Sequence, residues 1–184
     1  MKAQRIAIWG NSGSGKSTLA EQLAAAIRLP SFHVDQIAWH SGWRYTDEAT
    51  FLQRHRQWIE QPAWIIEGVG RLSGIRERFS RADLILFLDT PAELCRARAT
   101  RRIEEDRSEQ NRFIAEGCRY GDVVEEQWRV IEDFDQHLRG EISSMIAAQF
   151  SSKPYQWLDG RNSSDVLCGE VTRMLAPGWN SDAI

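Results

Sequence analysis

The sequence predicts an α/β fold, in which helices cover both faces of a parallel β-sheet. Short apolar runs alternate along the chain with longer helical patterns, which is typical of repeated β-α units. The run at 84–88 reads LILFL, as expected for a strand that is buried on both faces. A glycine-rich segment at 10–17 joins the first apolar run to the first helical pattern. These observations predict one three-layer α/β/α domain with a five-stranded parallel sheet.

The hydrophobic pattern assigns the individual elements. Strands are predicted where a short apolar run is bounded by turn or acidic residues, at 5–9, 31–34, 63–66, 84–88 and 155–158. Helices are predicted where apolar residues recur at spacings of three and four, at 16–29, 47–60, 91–102, 122–150 and 163–175. Residues 103–120 are polar and poorly periodic, which predicts a mobile excursion rather than a core element.

Composition excludes several classes of protein. The 184 residues are 42% hydrophobic and 27% charged, which is the profile of one soluble globular domain. No apolar run approaches the roughly 20 residues of a membrane span, and the first residues lack the pattern of a signal peptide, so a cytoplasmic protein is expected. The net charge of −3 disfavours nucleic acid as a partner. Three scattered cysteines argue against a disulfide framework or a zinc site. A monomer or a homodimer is expected.

One motif decides the class of ligand. The residues Gly10-Asn11-Ser12-Gly13-Ser14-Gly15-Lys16-Ser17 match the pattern G-x-x-x-x-G-K-[ST] of the P-loop in full. Its glycines let backbone N–H groups surround phosphate oxygens at the start of a helix. Lys16 is expected to reach the β- and γ-phosphates and the Ser17 hydroxyl to bind Mg²⁺, and Thr18 is included in the nucleotide site. The motif therefore predicts ATP and Mg²⁺ as cofactors.

Three carboxylates come directly after predicted strands, where open parallel sheets bind their ligands. Glu67 is expected to hold Mg²⁺ or its waters, because hard cations prefer oxygen ligands. Asp35 is expected to accept a proton from an acceptor hydroxyl, or to hydrogen-bond the acceptor. For Asp89, capping of the next helix is the favoured interpretation.

Arginines are concentrated in the part of the sequence between Arg71 and Arg119. Arg98 and Arg102 are four residues apart and share one helix face, and Arg112 lies in the polar excursion. A lid that carries arginine would place positive charge at a transferring phosphoryl group and exclude water. A solvated charged face is the alternative, because acidic residues are interleaved with these arginines.

Four tryptophans lie near the predicted acceptor region. Trp39 and Trp43 fall in a loop after Asp35, so they are candidates for stacking on a ligand. Trp58 and Trp64 are expected to pack in the core, because they lie in a helix and beside a strand. His33 is expected to be structural.

Two segments resemble adenylate kinases. The residues EGVGR at 67–71 are similar to their D-G-F-P-R segment, and DTPAEL at 89–94 with the two arginines after it is similar to their D-x-P-x-E-L…R…R segment. This resemblance implies that Glu67 is the metal-side acid, that Arg98 packs against the adenine, that Arg102 contacts phosphate, and that Arg71 holds the acceptor. Gly68, next to Glu67, is also expected to contact the acceptor.

A resemblance over most of the chain is to the adenylate-kinase-like bacterial P-loop family known as DNA topology modulation proteins. The shared segments include HVD at 33–35, GW at 42–43, WIIEG at 64–68, FLD at 87–89 and EGC at 116–118. Members generally have Asp at position 67, Arg-Pro at 112–113 and a basic C-terminal helix, whereas the helix is acidic here. The resemblance implies that Arg76 meets the acceptor. The likeness to nucleoside and nucleotide kinases implies a strand order of 2-3-1-4-5.

Together these features predict an ATP-dependent phosphotransferase that moves the γ-phosphoryl group of Mg-ATP to a small acceptor, such as a nucleotide, a nucleoside or another hydroxyl or phosphate compound. An acceptor-binding insertion is predicted at about 35–62 and a lid at about 103–121. The expected catalytic residues are Lys16, Asp35, Arg102 and Arg112. The alternative is a regulatory P-loop ATPase, or an ATP-binding protein that acts on nucleic acid or a protein with little kinase turnover.

Overall fold

The computed structural model describes residues 3–105 and 111–176. In chain order its strands are β1 (Arg5–Gly10), β2 (Ser31–His33), β3 (Trp39–His40), β4 (Arg44–Tyr45), β5 (Trp64–Glu67), β6 (Leu84–Asp89) and β7 (Tyr155–Asp159). Five of them form one parallel sheet in the order β2-β5-β1-β6-β7. Counted among themselves these strands run 2-3-1-4-5, so the predicted order is confirmed. β3 and β4 form a separate antiparallel hairpin that the sequence did not predict.

The helices are α1 (Lys16–Ile27), α2 (Asp35–Ala38), α3 (Glu48–Ile59), α4 (Leu72–Arg81), α5 (Ala92–Glu105), α6 (Val124–Asp133), α7 (Arg139–Gln149) and α8 (Ser164–Met174). A π-helical turn at Phe134–Leu138 joins α6 to α7, so the predicted helix at 122–150 is nearly continuous. The sequence did not predict α2 and α4. No helix in the described ranges is long and apolar enough to cross a membrane.

The sheet separates two hydrophobic cores, because alternate side chains of a strand point to opposite faces. Ile6 and Ile8 of β1 pack with α1 and α8 on one face. Ala7 and Trp9 of the same strand pack with α3, α4 and α7 on the other. Trp64 is fully buried in this second core, as predicted. The three-layer architecture is therefore confirmed, and it aligns the carboxyl ends of β1, β2 and β5 at one edge.

The polar excursion is more ordered in its packing than the sequence predicts. Of its residues, 106–110, which include Arg107, lie outside the described part of the chain. Ile114, Ala115, Cys118 and Tyr120 are buried and pack against Trp39, Trp43 and Ile103. The prediction that 103–120 contributes nothing to a core is wrong for its second half, because widely spaced apolar residues meet the β3–β4 hairpin there.

Candidate nucleotide and acceptor site

The P-loop connects β1 to α1 and is shaped by close contact with α5. Gly13 has φ = 76°, and a Cβ at this position would lie 2.3 Å from the carbonyl oxygen of Cys95. Only glycine fits such a position, because the conformation and the space both exclude a side chain. The Ser14 carbonyl accepts hydrogen bonds from Arg98 Nη1 at 2.9 Å and from Thr90 Oγ1 at 3.3 Å. The loop is thus fixed from behind as a concave cradle at the N-terminus of α1, which fits the phosphates of a nucleotide.

The metal side of the cradle is formed by α1 and β5. Ser17 Oγ donates to Glu67 Oε1 at 3.0 Å, and Glu67 is only 4% exposed. Lys16, the residue before Ser17, has its Nζ 2.7 Å from the carbonyl oxygen of Asn11. Mg²⁺ is usually held by one or two protein oxygens together with phosphates and waters. The hydroxyl–carboxylate pair beside the lysine fits that requirement.

A chain of polar contacts runs from Glu67 to the excursion. His33 Nδ1 lies 2.8 Å from Glu67 Oε1, and His33 Nε2 lies 3.1 Å from Glu21 Oε1. Glu21 Oε2 in turn pairs with Arg112 Nη2 at 2.9 Å. Burial alone would raise the pKa of Glu67, but the contacts with His33, Lys16 and Ser17 lower it, so the carboxylate is held ionised. His33 therefore orients the carboxylate, which is more than the structural role predicted for it.

Asp35 begins α2 and faces the same cleft. Burial raises the pKa of Asp35, and the charge of Glu67 raises it further, whereas Lys16 and Arg102 lower it. A carboxylate whose pKa is raised binds a proton more readily, as a general base must. The two carboxylates thus have opposite pKa shifts at neighbouring strand ends, which favours the different roles predicted for them.

A single cleft of about 820 Å³ contains the P-loop, Glu67 and Asp35. Its lining includes the predicted residues Gly10, Asn11, Ser12, Gly13, Ser14, Gly15, Lys16, Ser17, Thr18, Asp35, Trp39, Trp43, Glu67, Gly68, Arg98 and Arg102. The cleft also contains residues that the sequence analysis missed, among them Tyr45, Tyr120, Gln127, Asn162 and Ser163. Gln127 Oε1 accepts from Arg102 Nη2 at 3.1 Å, so α6 positions an arginine of the cleft.

Three of the predicted arginines do not line this cleft. Arg76 is exposed on α4, because the helix turns Ile75 and Arg78 inward instead. Arg112 is 70% exposed and is held by Glu21. Arg71 donates to the carbonyl oxygen of Thr46 and lies outside the cleft wall. The structure therefore does not bring these side chains to the positions expected of acceptor-side or catalytic arginines.

Helix α4 instead buries Arg78, which was not among the predicted site residues. Its side chain is fully buried, and its Nη2 donates to the Gly68 carbonyl at 2.6 Å. Burial lowers the pKa of Arg78 to about 10. Arg78 therefore fixes the turn after β5 that forms one wall of the cleft. Asp89 Oδ2 pairs with Arg139 Nη2 at 2.9 Å, a contact that the sequence did not predict.

Comparison with protein families gives a match over residues 6–120, more than half of the chain, to the ATPase family associated with various cellular activities (AAA). The chain belongs to the AAA family. The match begins in β1 and ends at Tyr120, so it contains the P-loop, both carboxylates and the aromatic hairpin. No curated protein matches this AAA protein.

The solved structures that resemble this AAA protein include several kinases. A sugar kinase from Janibacter sp. HTCC2649 is 17% identical, with a TM-score of 0.54 over 97% of this chain and 98% of that one. Shikimate kinase from Acinetobacter baumannii, in complex with shikimate, is 18% identical, with a TM-score of 0.59 over 94% and 92%. Deoxyadenosine kinase from M. mycoides is 13% identical, with a TM-score of 0.57 over 93% and 97%. At these identities the likeness establishes the P-loop kinase-like fold.

Proposed function

We propose that this AAA protein transfers the γ-phosphoryl group of Mg-ATP to a hydroxyl group of a small acceptor. The observation that carries the proposal is the single cleft whose lining contains Lys16, Ser17 and Glu67 together with Asp35 and the aromatic rings of Trp39, Trp43 and Tyr45. A protein that only hydrolysed ATP would not need a carboxylate and a preformed organic pocket beyond the phosphate cradle. The sugar, shikimate and deoxyadenosine kinases of similar fold support this class of reaction.

The residues divide the reaction between them. Asp35 accepts the proton of the acceptor hydroxyl, whose oxygen then forms a bond to the γ-phosphorus while the bond to the β–γ bridging oxygen breaks and ADP leaves. Lys16 and Arg102 place positive charge beside the transferred group, where they stabilise its equatorial oxygens. Mg²⁺, when held by Ser17 and Glu67, would neutralise phosphate charge.

The proposal has a direct test with radiolabelled ATP. Purified protein is incubated with Mg-ATP and a panel of sugars, polyols, nucleosides, nucleotides and shikimate, and phosphorylated products and ADP are measured separately. We expect a phosphorylated acceptor, and we expect Lys16→Ala to abolish its formation without unfolding the protein. Arg129→Ala is the control, because Arg129 is 73% exposed on α6 and its side chain should not contribute.

The outcomes separate the proposal from its alternative. ADP without any phosphorylated acceptor, together with salt-dependent binding to DNA, would favour the regulatory ATPase instead. Full turnover by a folded Lys16→Ala variant would exclude the P-loop as the active site. The finer relationship to DNA topology modulation proteins and to adenylate kinases stays a prediction that product identity would test.

A further inference from the structure

Helix α6 contacts the P-loop through one of its faces. Asn11 Nδ2 donates to the carbonyl oxygen of Ile131 at 2.9 Å. Ser12 Oγ donates to Gln127 Oε1 at 3.2 Å. Gln127 and Ile131 are four residues apart, so they lie on the same side of the helix, and both are buried. Two successive residues of the P-loop are therefore held by a helix that follows 6–120, the part of the chain that matches the AAA family.

The side chain that holds Ser12 also holds Arg102. Gln127 Oε1 accepts a second hydrogen bond, from Arg102 Nη2, at 3.1 Å. Because a guanidinium can only donate, it is the oxygen of the Gln127 amide that faces it. One oxygen atom on α6 is thus shared between the P-loop and an arginine of α5, and it fixes the position of each relative to the other. All three side chains line the cleft.

Arg102 also packs on an aromatic ring. Its Cζ lies 3.5 Å from the ring centroid of Tyr120, which is buried and begins the short 3₁₀ turn (Tyr120–Asp122) before α6. The charge of Arg102 lowers the pKa of Asp35, so the guanidinium acts on the proposed base as well. Its Nε is buried and has no hydrogen-bond partner among the described residues. A buried donor without a partner is costly, and an oxygen of a bound phosphoryl group would satisfy it.

From these contacts we infer that Gln127 is a positioning residue for phosphoryl transfer, which acts by holding the Arg102 guanidinium at a fixed place beside the P-loop. The inference rests on the phosphotransfer proposed above, in which Arg102 meets the equatorial oxygens of the transferred group. Donors that are already in place stabilise developing charge without reorganisation at the moment of reaction. A long arginine side chain has many conformations, and the Gln127 amide selects the one that points toward the reacting group.

The first test is a double-mutant cycle between Gln127 and Arg102, measured as the rate of ADP formation from Mg-ATP with water or with the best acceptor of the panel. Gln127→Met removes the amide and keeps the length of the side chain, and it should lower kcat about 10- to 100-fold. Arg102→Met should lower kcat about 10²–10³-fold, as expected for loss of a donor to the transition state. Adding Gln127→Met to Arg102→Met should change kcat little, because a residue that acts through another has no separate effect.

A second measurement does not depend on turnover. Mg-ADP with fluoroaluminate mimics the transferring phosphoryl group, and titration calorimetry gives the affinity for Mg-ADP with and without it. The wild type should bind Mg-ADP more tightly when fluoroaluminate is present, and Gln127→Met and Arg102→Met should each remove most of this gain. Affinity for Mg-ADP alone should stay near the wild-type value in Gln127→Met. A side chain that only stabilised the fold would change both affinities or neither.

Two further variants complete the design. Gln127→Asn keeps a polar amide and withdraws its oxygen by one methylene group, so it replaces Gln127→Met if that variant does not fold. It should lower kcat less than Gln127→Met and show the same non-additivity with Arg102→Met. Gln149→Met is the matched control, because Gln149 is exposed at the end of α7 and does not line the cleft. Its kcat and both affinities should equal those of the wild type.

The inference is overturned if a folded Gln127 variant has the kcat and the fluoroaluminate gain of the wild type, or if the losses from Gln127 and Arg102 multiply in the double variant. A wild type that gains no affinity from fluoroaluminate would also overturn it. The two proposals fail separately in this design. The expected coupling without phosphorylation of any acceptor would refute transfer to a small molecule and leave the positioning role in ATP hydrolysis. Transfer to an acceptor that Gln127→Met leaves unchanged would refute the positioning role alone.

Discussion

His55 should make the stability of the fold depend on pH below neutrality. The side chain is fully buried on α3, where it stacks on Phe51 with ring centroids 5.6 Å apart. Within the described residues, neither ring nitrogen has a hydrogen-bond partner. Burial, together with the charges of Arg78 and Arg56, lowers the pKa of His55 to about 3. The folded protein therefore holds this imidazole neutral under conditions that protonate it in the unfolded chain.

The sign and size of the effect follow from proton linkage. As pH falls below about 6.5, the unfolded state takes up a proton that the folded state does not, so the free energy of unfolding decreases. At pH 5 the loss is about 2 kcal/mol relative to pH 7, and at pH 4 about 3 kcal/mol. The loss of unfolding free energy at pH 5 depends almost entirely on the pKa of His55 in the unfolded chain, because its pKa in the folded protein already lies well below 5. His33 acts in the opposite direction, since its contacts with Glu67 and Glu21 outweigh burial and raise its pKa.

The measurement is urea unfolding at pH 7 and pH 5 for the wild type and His55→Leu, which keeps an apolar side chain of similar volume in the site. Between pH 7 and pH 5 the free energy of unfolding should decrease by about 2 kcal/mol more in the wild type than in the variant. Both proteins contain His33 and the other titratable groups, so the contributions of those groups cancel in the comparison. His137→Leu is the control for removal of a surface histidine, because that side chain is 71% exposed and its contact with Asp133 lies in solvent, where an ion pair contributes about 1 kcal/mol or less. Equal pH dependence in the wild type and His55→Leu would refute the reasoning.

The remaining predictions concern the cleft. Glu67→Gln should raise the Mg²⁺ concentration needed for half-maximal turnover. Asp35→Asn should leave Mg-ATP affinity unchanged and lower kcat roughly 10²–10⁴-fold. Equal loss of Mg-ATP affinity in both variants would assign Asp35 to the metal site. His33→Ala should also raise the Mg²⁺ concentration needed for half-maximal turnover, with affinity for ATP in the absence of metal unchanged. His33→Gln should restore part of the wild-type Mg²⁺ dependence. A wild-type Mg²⁺ dependence in His33→Ala would contradict the positioning role of His33. Hydrogen exchange of 111–121 should slow when an ATP analogue and acceptor bind, if this segment closes as a lid; unchanged strong protection would identify it as permanently packed.

The sequence predicted the central strands of the sheet well because β1, β5 and β6 are buried on both faces. A strand such as β6 has no solvent-facing side, so its sequence is a continuous apolar run that few other structures require. Helix α4 gives no comparable signal. It buries Arg78 beside Ile75 and Phe79, and a charged residue on the buried face interrupts the helical pattern of apolar residues. The β3–β4 hairpin was missed because each strand has two residues, too few for an alternating pattern.

The sequence predicted those residues of the candidate site that lie in one contiguous segment or directly after a strand. The P-loop is one contiguous segment, and parallel strands bring Asp35 and Glu67 to the same edge whatever the loops do. The arginines follow neither rule, because a long side chain can reach a backbone carbonyl or an acid in several directions. Arg71 is held by Thr46 and Arg112 by Glu21, both through contacts that only the tertiary structure creates. The same contacts keep both side chains out of the cleft lining, a placement that no local pattern in the sequence encodes.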